Sequence, residues 1–187
     1  MNDNKINDPE SGSGQEEFYT GQQLLDMNVT DLPYLVEGLF PKYGLVCVGG
    51  SSDTGKSRLA RQLATSIVLG KGEFLGFKMI PEHRSAIYIS TEDDRHAAAF
   101  LLKQANGNLQ SKYLERLLFL FDTENLIQKI SKILATTKVD AIIMDTFADI
   151  FTGDMNSANK VRVYLHEFKL LVERFNCLIV FLHHLLF

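Results

Sequence analysis

Eight residues constrain this chain more than any others. Gly50-Ser51-Ser52-Asp53-Thr54-Gly55-Lys56-Ser57 follows the apolar run Leu45-Val46-Cys47-Val48 and opens a helical pattern over Arg58–Leu69. The spelling G-x-x-x-x-G-K-S between a strand and a helix is that of a phosphate-binding loop. Gly50 and Gly55 are expected to allow backbone angles closed to other residues, so that successive N–H groups turn inward around a polyphosphate. The helix beginning near Lys56 adds its positive N-terminal end, and Lys56 adds a mobile charge that reaches the β- and γ-phosphates. Ser57 offers a hydroxyl to Mg²⁺, a hard cation that takes few protein ligands. The expected nucleotide-binding set is therefore the loop itself and Arg58, the first residue beyond it.

The rest of the chain supplies the frame such a loop needs. Apolar strands are expected at Leu45–Gly49, Ser85–Ser90, Leu117–Phe121, Val139–Asp145 and Cys177–Leu182, the last running into His183-His184. Helical spacing falls between them: Arg58–Leu69, a segment led by Thr91-Glu92-Asp93-Asp94 and running through Ala97 to Gln104, Thr123–Ala135, and a stretch carrying Val161, Leu165, Phe168, Leu171 and Val172 on one face. Glycines at 70 and 72 read as stops for the loop's helix, and Asp93 as the cap of the next. A short helix over Gly21–Asp31 precedes the lead-in Pro33-Tyr34-Leu35-Val36 and Phe40-Pro41-Lys42-Tyr43-Gly44. Strands alternating with helices predict an α/β fold of the P-loop type, with a mainly parallel five-stranded sheet flanked by helices.

Ligands of such sheets bind at the carboxyl ends of the strands, where Gly50, Glu92, Asp145 and His184 all fall. Asp145 ends an apolar strand, the position of a carboxylate that holds Mg²⁺ directly or through water. Glu92 stands where a carboxylate accepts a proton from the water attacking a γ-phosphate. His184 is placed to donate a hydrogen bond to that phosphate. The expected catalytic residues are Lys56, Glu92, Asp145 and His184; the expected metal ligands are Ser57 and Asp145; the expected cofactors are a nucleoside triphosphate and Mg²⁺. His83, His96 and His166 share no metal-ligand spacing.

Composition narrows the classes. With 187 residues, 45% of them hydrophobic, the chain can bury a core of its own. Asp3, Asp8, Glu10, Glu16 and Glu17 oppose only Lys5, which accounts for the whole formal charge of −4. Residues 1–17, with Ser11-Gly12-Ser13-Gly14 among them, read as a disordered acidic tail, and 18–187 as a formally neutral ATPase core. A neutral body shows no basic footprint for nucleic acid. No apolar run reaches the roughly 18 residues of a membrane span, so no membrane partner is expected. Cys47 and Cys177 read as small buried hydrophobes in a reducing, cytoplasmic setting.

The order of these motifs resembles that of the RecA-like ATPases, and more narrowly the branch of hexameric plasmid replication helicases of the RepA type. The resemblance is carried by Tyr34-Leu35-Val36-Glu37-Gly38-Leu39-Phe40, the loop, Tyr88-Ile89-Ser90-Thr91-Glu92-Asp93-Asp94, Ile142-Ile143-Met144-Asp145-Thr146 and Val180-Phe181-Leu182-His183-His184. It implies that Glu92 is the catalytic base, Asp145 the Walker B carboxylate and His184 the sensor of the γ-phosphate. It further implies a homo-oligomer, six subunits in a ring, with hydrolysis driving movement along single-stranded DNA. Members of the family continue past the equivalent of Phe187 with further strands, DNA-facing loops and an arginine finger. The expectation is therefore a core short of those C-terminal parts, its strand Leu45–Gly49 left as an apolar edge, binding ATP–Mg²⁺ but turning it over slowly alone. Two other classes stay open: a nucleotide-dependent switch or assembly protein without helicase activity, and a small-molecule kinase, for which no lid-like cluster of Arg is seen.

Overall fold

The computed structural model describes residues 18–107 and 112–184, and the chain divides into two units, Met1–Leu32 and Pro33–Phe187. The acidic tail expected over 1–17 and the end of the chain at 185–187 lie outside the described residues.

Among the described residues the first unit holds one helix, α1 (Gly21–Asp26). Thr20 and Gln23 close its N-terminus reciprocally: Gln23 N donates to Thr20 Oγ1 at 3.2 Å, and Thr20 N to Gln23 Oε1 at 2.7 Å. The helix expected to reach Asp31 stops at Asp26. Asn28 takes φ +48°, a left-handed angle that a continuing helix does not admit. Leu24, Leu25, Met27 and Val29 are all exposed.

The second unit opens with a hairpin, β1 (Tyr34–Val36) against β2 (Phe40–Pro41), and turns into β3 (Gly44–Gly50). Then follow α2 (Lys56–Leu69), a small hairpin of β4 (Glu73–Phe74) and β5 (Phe77–Lys78), β6 (Ala86–Ser90) and α3 (Arg95–Asn106). A 3₁₀ turn (Lys112–Arg116) leads to β7 (Leu117–Leu120) and α4 (Leu126–Leu134). The chain continues through β8 (Ala141–Asp145), α5 (Phe147–Ile150), α6 (Ala158–Phe175) and β9 (Leu178–His184). Five strands form one wholly parallel sheet in the order β3-β9-β8-β6-β7. This is the expected architecture.

Strand period explains how one sheet makes two cores. In β6, β8 and β9 alternate side chains point to opposite faces. Tyr88, Ile143, Val180 and Leu182 meet Leu63, Ala64, Ile67 and Val68 of α2, with Leu35, Val36 and Phe74 of the hairpins in the same cluster. Ile87, Ile142, Met144, Ile179 and Phe181 meet Leu126 and Ile130 of α4 and Phe168 and Leu171 of α6 on the other face. Each large side chain removed from water in this way contributes about 1.5–3 kcal/mol. β6 and β8 are buried at every position, which is why their sequences run apolar up to the polar residues that end them, Ser90 and Asp145.

Several expectations are corrected in detail. Among the described residues β3 pairs only with β9, so the anticipated edge is present, and Cys47 on it is exposed rather than buried. Cys177 is buried, and desolvation pushes its thiol up to about 12. The cap of α3 is Asp94, not Asp93: Asp94 Oδ1 accepts from His96 N and Ala97 N, each at 2.8 Å. Asp140 precedes its strand instead of belonging to it. Its buried carboxylate accepts from Glu82 N at 2.7 Å, His83 N at 3.1 Å and Ser85 N at 3.3 Å, fixing the turn that enters β6. The helix expected from Thr123 begins at Leu126, after Asn125 at φ +51°. α5 and the β4–β5 hairpin were not anticipated.

Candidate active site

The register of the sheet brings the expected residues to one edge. Gly50 pairs with His184 at the ends of β3 and β9, and Ser90 pairs with Asp145 at the ends of β6 and β8. Between Gly50 and α2 the chain makes the loop. Gly55 sits at φ +82° and Asp53 at φ +61°. Gly50 itself is not in the left-handed region, so the reason expected for it is corrected: a Cβ there would lie 3.3 Å from Thr54 Oγ1 and 3.6 Å from Lys56 Cδ. At 50 a side chain would crowd the Thr54 hydroxyl, which would have to give by a few tenths of an ångström, whereas at 55 it is backbone angle that favours glycine.

Lys56 is buried, and its ammonium group turns back over the loop. Nζ donates to Gly50 O at 3.0 Å and Ser51 O at 2.7 Å, and lies 3.4 Å from Nδ1 of His184. The other nitrogen of that imidazole, Nε2, lies 3.1 Å from Glu92 Oε1, and Ser52 Oγ is 3.4 Å from Nδ1. The tautomer protonated at Nε2 satisfies both sides: it donates to Glu92 and accepts from Lys56 or Ser52.

At the next residue of α2, Ser57 Oγ donates to Asp145 Oδ1 at 2.9 Å. Asp145 is 2% exposed. Burial holds its carboxyl above the ordinary carboxylate range, hydrogen bonds from Tyr88 and Ser57 work against that, Glu92 raises it further and Arg61 lowers it. Tyr88 OH donates to the second oxygen, Oδ2, at 2.6 Å, and burial, then the charge of Asp145, pushes this phenol upward. Arg61 NH1 bonds Asp93 Oδ2 at 2.9 Å and lies 3.9 Å from Asp145 Oδ2. Beyond Asp145, Thr91 N donates to Asp145 O at 2.8 Å, Thr146 N donates to Thr91 Oγ1 at 2.9 Å, and Thr146 Oγ1 lies 3.0 Å from Asp149 Oδ2.

Thus Lys56, Ser57, Glu92, Asp145 and His184 converge, while Arg58 points to solvent from the first turn of α2. Tyr88, Arg61 and Asp93 also belong to the cluster and were not anticipated in it. Arg61 had a readable signal, since it stands four residues after Ser57 and so shares its helix face. Tyr88 had another: a polar tip in an otherwise aliphatic buried strand needs a partner.

A phosphate-binding loop on the edge strand of a parallel sheet, with a carboxylate-ended strand two places away, defines a P-loop ATPase domain with a RecA-like core. The AAA domain family matches residues 22–186, and the chain belongs to that family. Among solved structures it is similar to the KaiC-like protein PH0186 from the hyperthermophilic archaeon Pyrococcus horikoshii OT3, with a TM-score of 0.57 and 17% identity. That match covers 81% of this chain and 65% of the other. No curated protein matches it. None of the described helices is long and apolar enough to cross a membrane.

Proposed function

We propose that this chain binds ATP with Mg²⁺ at the carboxyl edge of its sheet and hydrolyses it. The observation that carries the reading is the 2.9 Å bond between Ser57 Oγ and Asp145 Oδ1, beside the loop that Lys56 closes. A hydroxyl and a carboxylate oxygen this close are a donor set for a hard cation, and all-oxygen sites suit Mg²⁺. Ser57 and Asp145 would hold the ion, and Mg²⁺ bound there supplies positive charge that offsets charge on the transferring phosphate oxygens. Lys56 exchanges its loop carbonyls for the β- and γ-phosphates, which the turned backbone N–H groups also bind. Glu92 takes the proton of the attacking water. His184, between Glu92 and Lys56, orients that carboxylate and is placed to meet the γ-phosphate.

The finer reading is a homo-oligomeric ring that acts on single-stranded DNA. It rests on the motif resemblance, chiefly Glu92-Asp93-Asp94 after β6 and the paired His183-His184 ending β9. A nucleotide-dependent switch is the second reading. The Glu92–His184 contact favours it, because it holds the base on an imidazole. Turnover of ATP by the purified chain, with and without single-stranded DNA, separates them, using Lys56→Ala and Glu92→Gln as controls. Stimulation by DNA supports the motor; ATP binding with background turnover in both conditions supports the switch; no ATP binding defeats both.

A further inference from the structure

The two oxygens of Asp145 stand in different surroundings. Oδ1 accepts from Ser57 at 2.9 Å, on the side of the loop. Oδ2 accepts from Tyr88 OH at 2.6 Å and faces Arg61 at 3.9 Å. Tyr88 is completely buried, with its ring 5.3 Å from that of Phe119. Its strand neighbour in register is Ile143, so the phenol reaches diagonally along the sheet to the end of β8. A packed tyrosine has few soft torsions, and its hydroxyl is delivered to a fixed point. For filling this part of the core a phenylalanine would serve; the hydroxyl is what meets the carboxylate.

We propose that Tyr88 is a positioning residue for the divalent cation. By donating to Oδ2 it fixes the plane of the Asp145 carboxylate and reserves Oδ1, the oxygen beside Ser57, for the metal. The inference rests on the ATP–Mg²⁺ reading of the site. Partners of this kind, which touch the ligand and not the ion, typically alter metal affinity by roughly 10- to 100-fold when removed. The hydroxyl also lies 3.4 Å from Ser57 O, in the first turn of α2; nucleotide affinity without metal separates that contact from the shorter bond to the carboxylate.

The test is Mn²⁺ binding to the full chain in the presence of a non-hydrolysable ATP analogue, read by electron paramagnetic resonance, for wild type and Tyr88→Phe. The expected result is Mn²⁺ affinity lower by about tenfold or more, with analogue affinity in EDTA unchanged and a cooperative thermal transition retained. In turnover assays the Mg²⁺ concentration for half-maximal rate rises, while the rate at saturating Mg²⁺ recovers. Equal Mn²⁺ affinity in a folded Tyr88→Phe chain overturns the role of Tyr88 and leaves the ATP–Mg²⁺ reading standing. Failure of the wild type to bind Mn²⁺ with the analogue overturns the ATP–Mg²⁺ reading itself. Should the Phe variant lose its thermal transition, Tyr88→Met, whose flexible side chain fills irregular space, is read by the same criteria.

Discussion

His184 joins Glu92 to the phosphate-binding loop: Nε2 lies 3.1 Å from Glu92 Oε1, and Nδ1 of the same ring lies 3.4 Å from Lys56 Nζ. One imidazole thus touches the proposed base and the proposed phosphate ligand at once. Changes at any of the three are expected to be felt by the other two.

Replacing Glu92 with Gln keeps a hydrogen-bonding side chain of the same length but removes the proton acceptor. Turnover should fall by roughly 10²–10⁴, while ATP affinity holds. Single-turnover hydrolysis alongside equilibrium binding reads both. A parallel loss of affinity would instead make Glu92 a structural support of His184.

The Arg61–Asp93 pair ties α2 to the segment that carries Glu92, at 2.9 Å and with both side chains largely shielded. Arg61→Ala should cost about 1–2 kcal/mol, between the values of exposed pairs and of charged hydrogen bonds in the interior. Amide hydrogen exchange at Thr91–Asp94 should quicken more than at the core of β6. Uniform quickening would mean that the pair supports the whole domain rather than this segment.

Acid should release the start of α3 as the Asp94 carboxylate takes up its proton. Hydrogen bonds from the backbone of Ala97 and His96 hold the Asp94 carboxyl below its usual value. A depressed carboxylate contributes stability that is complete above its unfolded pKa and disappears as pH falls through the folded one. Melting temperature followed downward from pH 5 should therefore drop less steeply in Asp94→Asn than in wild type. Superimposable pH profiles would contradict the assignment of Asp94 as the cap.

Gly70 ends α2 at φ +62°, and a Cβ there would lie 2.6 Å from Arg84 Nε. Arg84 can swing aside, but the backbone angle cannot be relieved. Gly70→Ala should lower stability in chemical denaturation by about 1–2 kcal/mol; an unchanged midpoint would show that α2 ends differently in solution.

Much of this site was legible because chemistry interrupts pattern. Asp145 stands out after Ile142-Ile143-Met144, and Lys56 after Gly55, whichever strands turn out to be neighbours. What was not legible depended on sheet order or on one-residue choices. The Tyr88 hydroxyl calls for a partner, but which one is open until β8 is known to lie beside β6. Asp93 and Asp94 are equal as caps by composition; only the structure shows Asp94 bonding the helix and Asp93 released to Arg61. Cys47 lies in an apolar run that looks the same at the edge of a sheet as at its centre. The β4–β5 hairpin has two residues per strand, too few for any period to show.

The account stands most directly on Lys56 and the loop it closes. The measurement is calorimetric titration of ATP into the purified chain with Mg²⁺ present, repeated with Lys56→Ala. Saturable binding to the wild type, lost or weakened at least about tenfold in the variant, as expected when a charged hydrogen-bonding group worth 1.5–3 kcal/mol is removed, is the predicted result. Binding of equal strength to both proteins, or to neither, would contradict it.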